Sequence, residues 1–245
     1  MLIETPKMIA AKALGGKYVD DIVGLLVAMH RGSDTVLEFD HNTASYTPTT
    51  FARNANGTLK IDDATTQTLS SNIHGTVGAY NAARISAMCV FKKGPGEIDL
   101  MLRLGPGGAS SMQPGIVLKF TTPASILHAI RDDGGYAEYV PTSAVPYTPS
   151  AEEKTYIFGA LWDGPAANKS GFVFDVDSGE FVIDTQEEAS NGGLYYNVGF
   201  GNNIRCTNIQ ELYGSIMFVH NAPVSHSEWR DTMIAAGKAL VARHV

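Results

Sequence analysis

The chain has 245 residues, of which 44% are hydrophobic, 18% are charged and 25 are glycine. That composition supports a real core and suits many short strands joined by tight turns rather than long charged helices. The net charge of −7 and the lack of any Lys/Arg run exclude a phosphate backbone, which needs clustered cations, and disfavour an anionic membrane surface as partners.

Residues 1–18 read as an N-terminal docking arm. Thr5 can cap a short helix, Pro6 suits its first position and Gly15-Gly16 can end it. Its apolar load is Leu2, Ile3, Met8, Ile9 and Leu14. A helix this short is marginal in water alone, so it is expected to dock, either on its own domain or on a neighbouring subunit. The segment has no basic leader and does not read as a signal peptide. No stretch approaches the ~20 apolar residues of a membrane span.

Residues 19–245 read as a single all-β domain closed by a helix. Ile22 to Met29 is an apolar run, and Thr35 to Phe39 alternates. The Thr- and Asn-rich stretch from His41 to Ser71 reads as exposed loops with short strands. Arg84 to Phe91 alternates, with Ile85, Ala87, Cys89 and Phe91 on one face. Glu97 to Leu104 alternates more cleanly: Ile98, Leu100, Leu102 and Leu104 take one face, Glu97, Asp99, Met101 and Arg103 the other. Ile116 to Phe120 follows, then a Pro-rich surface crossing over Val140 to Pro149, then Tyr156 to Trp162. Phe172 to Val176 and Phe181 to Asp184 flank the hairpin-turn signal Asp177-Ser178-Gly179. Tyr195 to Phe200 and Leu212 to His220 complete the strands. Ser225 and Glu228 have capping-box spacing, and Trp229, Met233, Ala236 and Leu240 then fall on one helical face. That stripe reads as core packing.

Two cysteines, Cys89 and Cys206, are too few for a disulfide framework. Cys89 reads as a small core residue, and a bridge between the two is left open.

The second half resembles the concanavalin A-like superfamily and, within it, the laminin-G-like jelly rolls. YIFGALWDGPAANKSGFVFDVDSGEFV resembles the family's strand, turn and hairpin, and NVGFGNN the glycine-bearing strand that follows. LYGSIMFVHNAPVSHSEWRDTM resembles the closing strand and short helix, with the match on Gly214, Ile216, Phe218, Ser225 and Glu228. The resemblance implies a concanavalin A-like jelly-roll β-sandwich, here with a short N-terminal helix and a C-terminal amphipathic helix. Lectins, hydrolases, lyases and capsid or tail proteins share that fold, so the site has to decide between them.

Glu97-Ile98-Asp99-Leu100-Met101 resembles the start of the Glu-x-Asp-x-Glu signature of the laminarinase, lichenase and agarase family. There the first Glu attacks, the Asp orients it and the second Glu donates the proton. Here Met101 stands in the third position and cannot protonate a leaving group. No catalytic residue is therefore assigned, and Glu97 and Asp99 read as the polar side of a half-buried strand. A lyase would want a Tyr or His base with a neutralising cation. Arg103, His128 and Tyr136 exist, but their spacing does not join them.

Asp163 and Asp175 are the candidates for a calcium ion at a sandwich edge, the one cofactor considered. The seven histidines show no zinc spacing. Trp162, Tyr136, Tyr139 and Tyr147 are candidate stacking platforms for a sugar. Asn56-Gly57-Thr58 and Asn168-Lys169-Ser170 match glycosylation sequons and read as chance matches. The expectation is a non-enzymatic binding or structural protein. Its partners would be other copies, virion subunits or a cell-surface glycan, with no nucleic acid and no membrane. A head-decoration or tail-associated virion component leads, placed on the virion surface if viral and in the cytoplasm otherwise. A polysaccharide-degrading enzyme and a free carbohydrate-binding module are the alternatives.

Overall fold

Among the described residues, runs rich in Val, Ile, Phe and Thr build strands, and an amphipathic segment near the C-terminus forms a helix. The computed structural model describes residues 22–31, 34–39, 52–61, 67–70, 76–79, 84–94, 99–104, 115–121, 125–131, 152–163, 168–189, 197–199, 202–207, 209–220 and 225–242. The first strands are β1 (Ile22–Arg31), β2 (Asp34–Phe39), β3 (Ala52–Arg53), β4 (Leu59–Ile61), β5 (Gln67–Ser70), β6 (Thr76–Ala79), β7 (Arg84–Lys93) and β8 (Asp99–Leu104). There follow β9 (Gly115–Thr121), β10 (Ser125–Arg131), β11 (Lys154–Asp163), β12 (Asn168–Asp175), β13 (Glu180–Ala189), β14 (Asn197–Gly199), β15 (Asn202–Thr207) and β16 (Ile209–His220). The helix α1 spans His226–Ala242. The expected N-terminal helix and its apolar residues lie outside the described residues. Among the described residues no helix is long and apolar enough to cross a membrane.

The larger sheet runs β13-β12-β11-β7-β16-β1-β2, with β4 added to β16 and β3 to β4. A second sheet of five strands runs β10-β9-β8-β15-β5, and β14 pairs β6 separately. Neighbours in the larger sheet are antiparallel, as in the β11–β7 and β16–β7 ladders. The five-stranded sheet is antiparallel as well.

Strands β7, β11 and β12 are buried on both faces. Met88, Val90, Ile157, Leu161, Phe172 and Phe174 form one apolar layer with Trp229, Met233, Ala236 and Leu240 of α1. The alternate residues Cys89, Phe91, Tyr156, Phe158, Ala160 and Val173 are 2% exposed or less on the other face. Cys89 is a free thiol, so the bridge to Cys206 is not formed. Burial pushes the Cys89 thiol up to about 12, which makes it inert as a nucleophile.

Helix α1 begins where Ser225 caps it: the Glu228 N–H donates to Ser225 Oγ at 3.3 Å. Asp184 of β13 then pins the first turns. Its carboxylate receives Arg230 Nη1 at 2.5 Å and lies 2.8 Å from His226 Nε2, while the Arg230 guanidinium stacks 4.7 Å over Phe181. Gly237 lets the helix approach β11 closely, since a Cβ there would lie 2.7 Å from Ile157 Cδ1. Gly237→Val should therefore overpack this contact and lower stability by about 1–3 kcal/mol, read as a drop in the urea midpoint. An unchanged midpoint would mean that the helix does not seat on Ile157.

The His41–Ser71 stretch is not wholly an exposed loop. Leu59 and Thr58 are buried against β16, and Asn56-Gly57-Thr58 forms a turn in which Gly57 takes φ +87°. Asn56 Oδ1 accepts from the Thr58 N–H at 3.1 Å and Asn56 Nδ2 donates to Glu211 at 3.0 Å, so this sequon serves the turn.

Candidate functional site

The five-stranded sheet has two chemically distinct faces. Register places Leu100, Leu102 and Leu104 of β8 beside Phe120, Leu118 and Ile116 of β9, with Ile204 and Cys206 of β15 opposite Leu102 and Leu100. Ile126 and Ile130 of β10 continue this apolar face. His128, Asn202 and Gln67 also take register positions on that face.

The other face is polar, and three rows cross it. Ser125, Thr121, Asp99 and Thr207 make the first. Leu127, Lys119, Met101, Arg205 and Thr68 make the second. Ala129, Val117, Arg103, Asn203 and Ser70 make the third. The middle strand, β8, thus carries Asp99 and Met101 of the truncated carboxylate signature at the centre of this face, with Lys119 and Arg205 directly on either side of Met101. Glu97 lies outside the described residues. Sequence reasoning found Asp99, Met101 and Arg103 on one face but missed Lys119 and Arg205. Each stands at the polar beat of its own alternating strand, which is the signal that could have found them.

Trypanosoma rangeli sialidase in complex with sialic acid has a similar fold: TM-score 0.50 and 13% identity, covering 90% of this chain and 34% of that one. The fold is a concanavalin A-like jelly-roll β-sandwich. Basic winged bean lectin with Tn-antigen gives a TM-score of 0.47 at 10% identity, covering 80% of this chain and 96% of the lectin. Lotus tetragonolobus seed lectin gives 0.47 at 11%, covering 81% and 100%. No protein-family model and no curated protein matches the chain.

The remaining sequence candidates do not gather on this face. Trp162 lies on β11 of the larger sheet, opposite Ile85 and Lys169. Tyr136, Tyr139 and Tyr147 lie outside the described residues. Asp163 and Asp175 stand at opposite ends of the β11–β12 ladder, opposite Asn168 and Tyr156 respectively. Seven residues of strand separate those positions, roughly 20 Å, so one ion cannot take both.

Asp175 has a structural task of its own. One oxygen receives Lys154 Nζ at 2.7 Å, and the other receives the N–H groups of Asp177 at 2.9 Å and Ser178 at 3.1 Å. Burial works to raise its carboxyl, but the Lys154 ammonium and the two N–H donors outweigh that and hold it below its ordinary value. Gly179, at φ +76°, completes the turn into β13. Among the described residues no three His, Cys, Asp or Glu side chains form a metal-holding group.

Proposed function

We propose that the chain is a non-catalytic glycan-binding jelly roll whose ligand lies on the polar face of β8, β9 and β15. The observation that carries this is the position of Met101. In the hydrolases that this strand resembles, the proton donor stands in that place. Here a thioether replaces it, between Lys119 and Arg205. A thioether donates no proton, and two adjacent cations would hold a carboxyl in that spot ionised, the wrong state for a general acid. Thr121, Thr207, Asn203 and Ser70 take register positions on this face, and hydroxyl and amide residues are the types that recognise sugar hydroxyls.

The sialidase of similar fold is described with sialic acid, and the lectins include one with Tn-antigen. The chain spans 34% of the sialidase, and the reading of a binder rests on the residues of this face. A free carbohydrate-binding module and a glycan-contacting subunit of a larger assembly both use such a face. The virion role expected from the sequence draws no support from the comparisons.

Purified protein incubated with laminarin, lichenan and agarose should release no reducing ends above the blank, while a glycan panel should contain at least one ligand that retards it in affinity electrophoresis. Release of reducing ends that disappears in Glu97→Gln would replace the binder with a hydrolase.

A further inference from the structure

The chain as a whole is acidic, with 25 Asp and Glu against 18 Lys and Arg. The polar face of the five-stranded sheet reverses that balance. Among the described residues its strand positions hold Arg103, Lys119, Arg131 and Arg205 and one acid, Asp99. These cations come from separate parts of the sequence and form no run; the register alone collects them. Lys119 and Arg205 are two strand spacings apart across Met101, roughly 10 Å, and Arg103 is one residue pair along β8, roughly 7 Å from Met101.

We infer that the glycan is anionic, carrying carboxylate or sulfate groups held by Lys119, Arg205 and Arg103; this rests on the glycan-binding reading above. Like charges gathered on adjacent strands are destabilising unless a counter-charge arrives. A guanidinium matches a carboxylate or sulfate in a two-pronged, charge-assisted hydrogen bond. Met101, Val117 and Leu127 take register positions among them on the same face, residue types that suit the C–H side of a sugar ring. A single-stranded nucleic acid would also bring anions, but its bases want aromatic platforms. Among the described residues, the strand positions of this face include no Phe, Tyr or Trp.

The test is titration calorimetry of the full chain against polygalacturonate, hyaluronan and chondroitin sulfate, with laminarin as neutral probe and oligothymidylate as nucleic-acid probe. The wild type should bind at least one acidic glycan about tenfold or more tighter than laminarin, and that affinity should fall as salt rises. Lys119→Gln and Arg205→Gln should each weaken the acidic ligand by about tenfold. Lys238→Gln, which removes the same charge from α1, should not. The wild-type comparison and its salt dependence stand even where a variant misfolds. Binding of laminarin as tight as that of the acids, or affinity indifferent to salt, would overturn the anionic assignment and leave the glycan-binding reading intact. Binding of no glycan of either kind would overturn both. Oligothymidylate bound at least as tightly as the acidic glycans would overturn the inference in favour of nucleic acid.

Discussion

Trp229→Ala should destabilise the protein by about 3–5 kcal/mol, the range for a fully buried Trp reduced to a methyl. Trp229 is the largest fully buried side chain among the described residues. Its ring meets Phe172 edge-on at 5.4 Å between centroids, and its indole N–H donates to Ser86 Oγ at 3.1 Å. Truncation therefore opens a cavity between α1 and the sheet and leaves the buried Ser86 hydroxyl without this donor. Trp229→Phe keeps most of the ring packing but loses the hydrogen bond, so it should cost less, on the order of 1–3 kcal/mol. Chemical denaturation measures both. A loss below about 1 kcal/mol for the alanine variant would mean that the helix sits on the sheet without completing its core.

Asp175→Ala should cost about 2–3 kcal/mol. Breaking a buried ion pair costs more than that when both partners are enclosed, but Lys154 is 27% exposed and water recovers part of its charge. The variant also strips two turn N–H groups of their acceptor. The same carboxylate sets a pH dependence. Its folded pKa lies below the ordinary 3.8, so the unfolded chain takes up its proton first as pH falls. The stabilisation is complete above about pH 5 and is lost through the acid range below about pH 4. Unfolding free energies measured from pH 6 to pH 2 should fall more steeply for the wild type than for Asp175→Asn in that window. Parallel curves would show that the Lys154 pair adds nothing to folding.

The helix was fully legible in the sequence. Its 3.6-residue stripe of Trp229, Met233, Ala236 and Leu240 is the stripe buried in the structure, and Ser225 caps it as the spacing predicts. The clean alternation of β8 was legible for the same reason, one face being apolar. Strand β7 was read on one face only. Ile85, Ala87, Cys89 and Phe91 were singled out, yet Met88 and Val90 between them are fully buried under α1. A strand covered on both sides has no period for a single face to follow. The polar face of the site was legible only within β8, where Asp99, Met101 and Arg103 alternate with leucines. Lys119, Met101 and Arg205 become neighbours only through the β9–β8–β15 register, and strand pairing over such separations leaves no local mark in composition. Strands β10 and β15 also escaped sequence reading; β15 is six residues long, and Asn202-Asn203 opens it with residues that favour turns.

The most direct test of a glycan face centred on β8 is methyl NMR of the methionines during titration with the acidic and neutral glycans. Met101 lies at the centre of the face, whereas Met88 and Met233 belong to the layer under α1. A bound glycan should shift the Met101 methyl resonance and leave those of Met88 and Met233 in place. A glycan that binds while the Met101 resonance stays still, or a panel in which no glycan moves it, would mean that this face is not the glycan site.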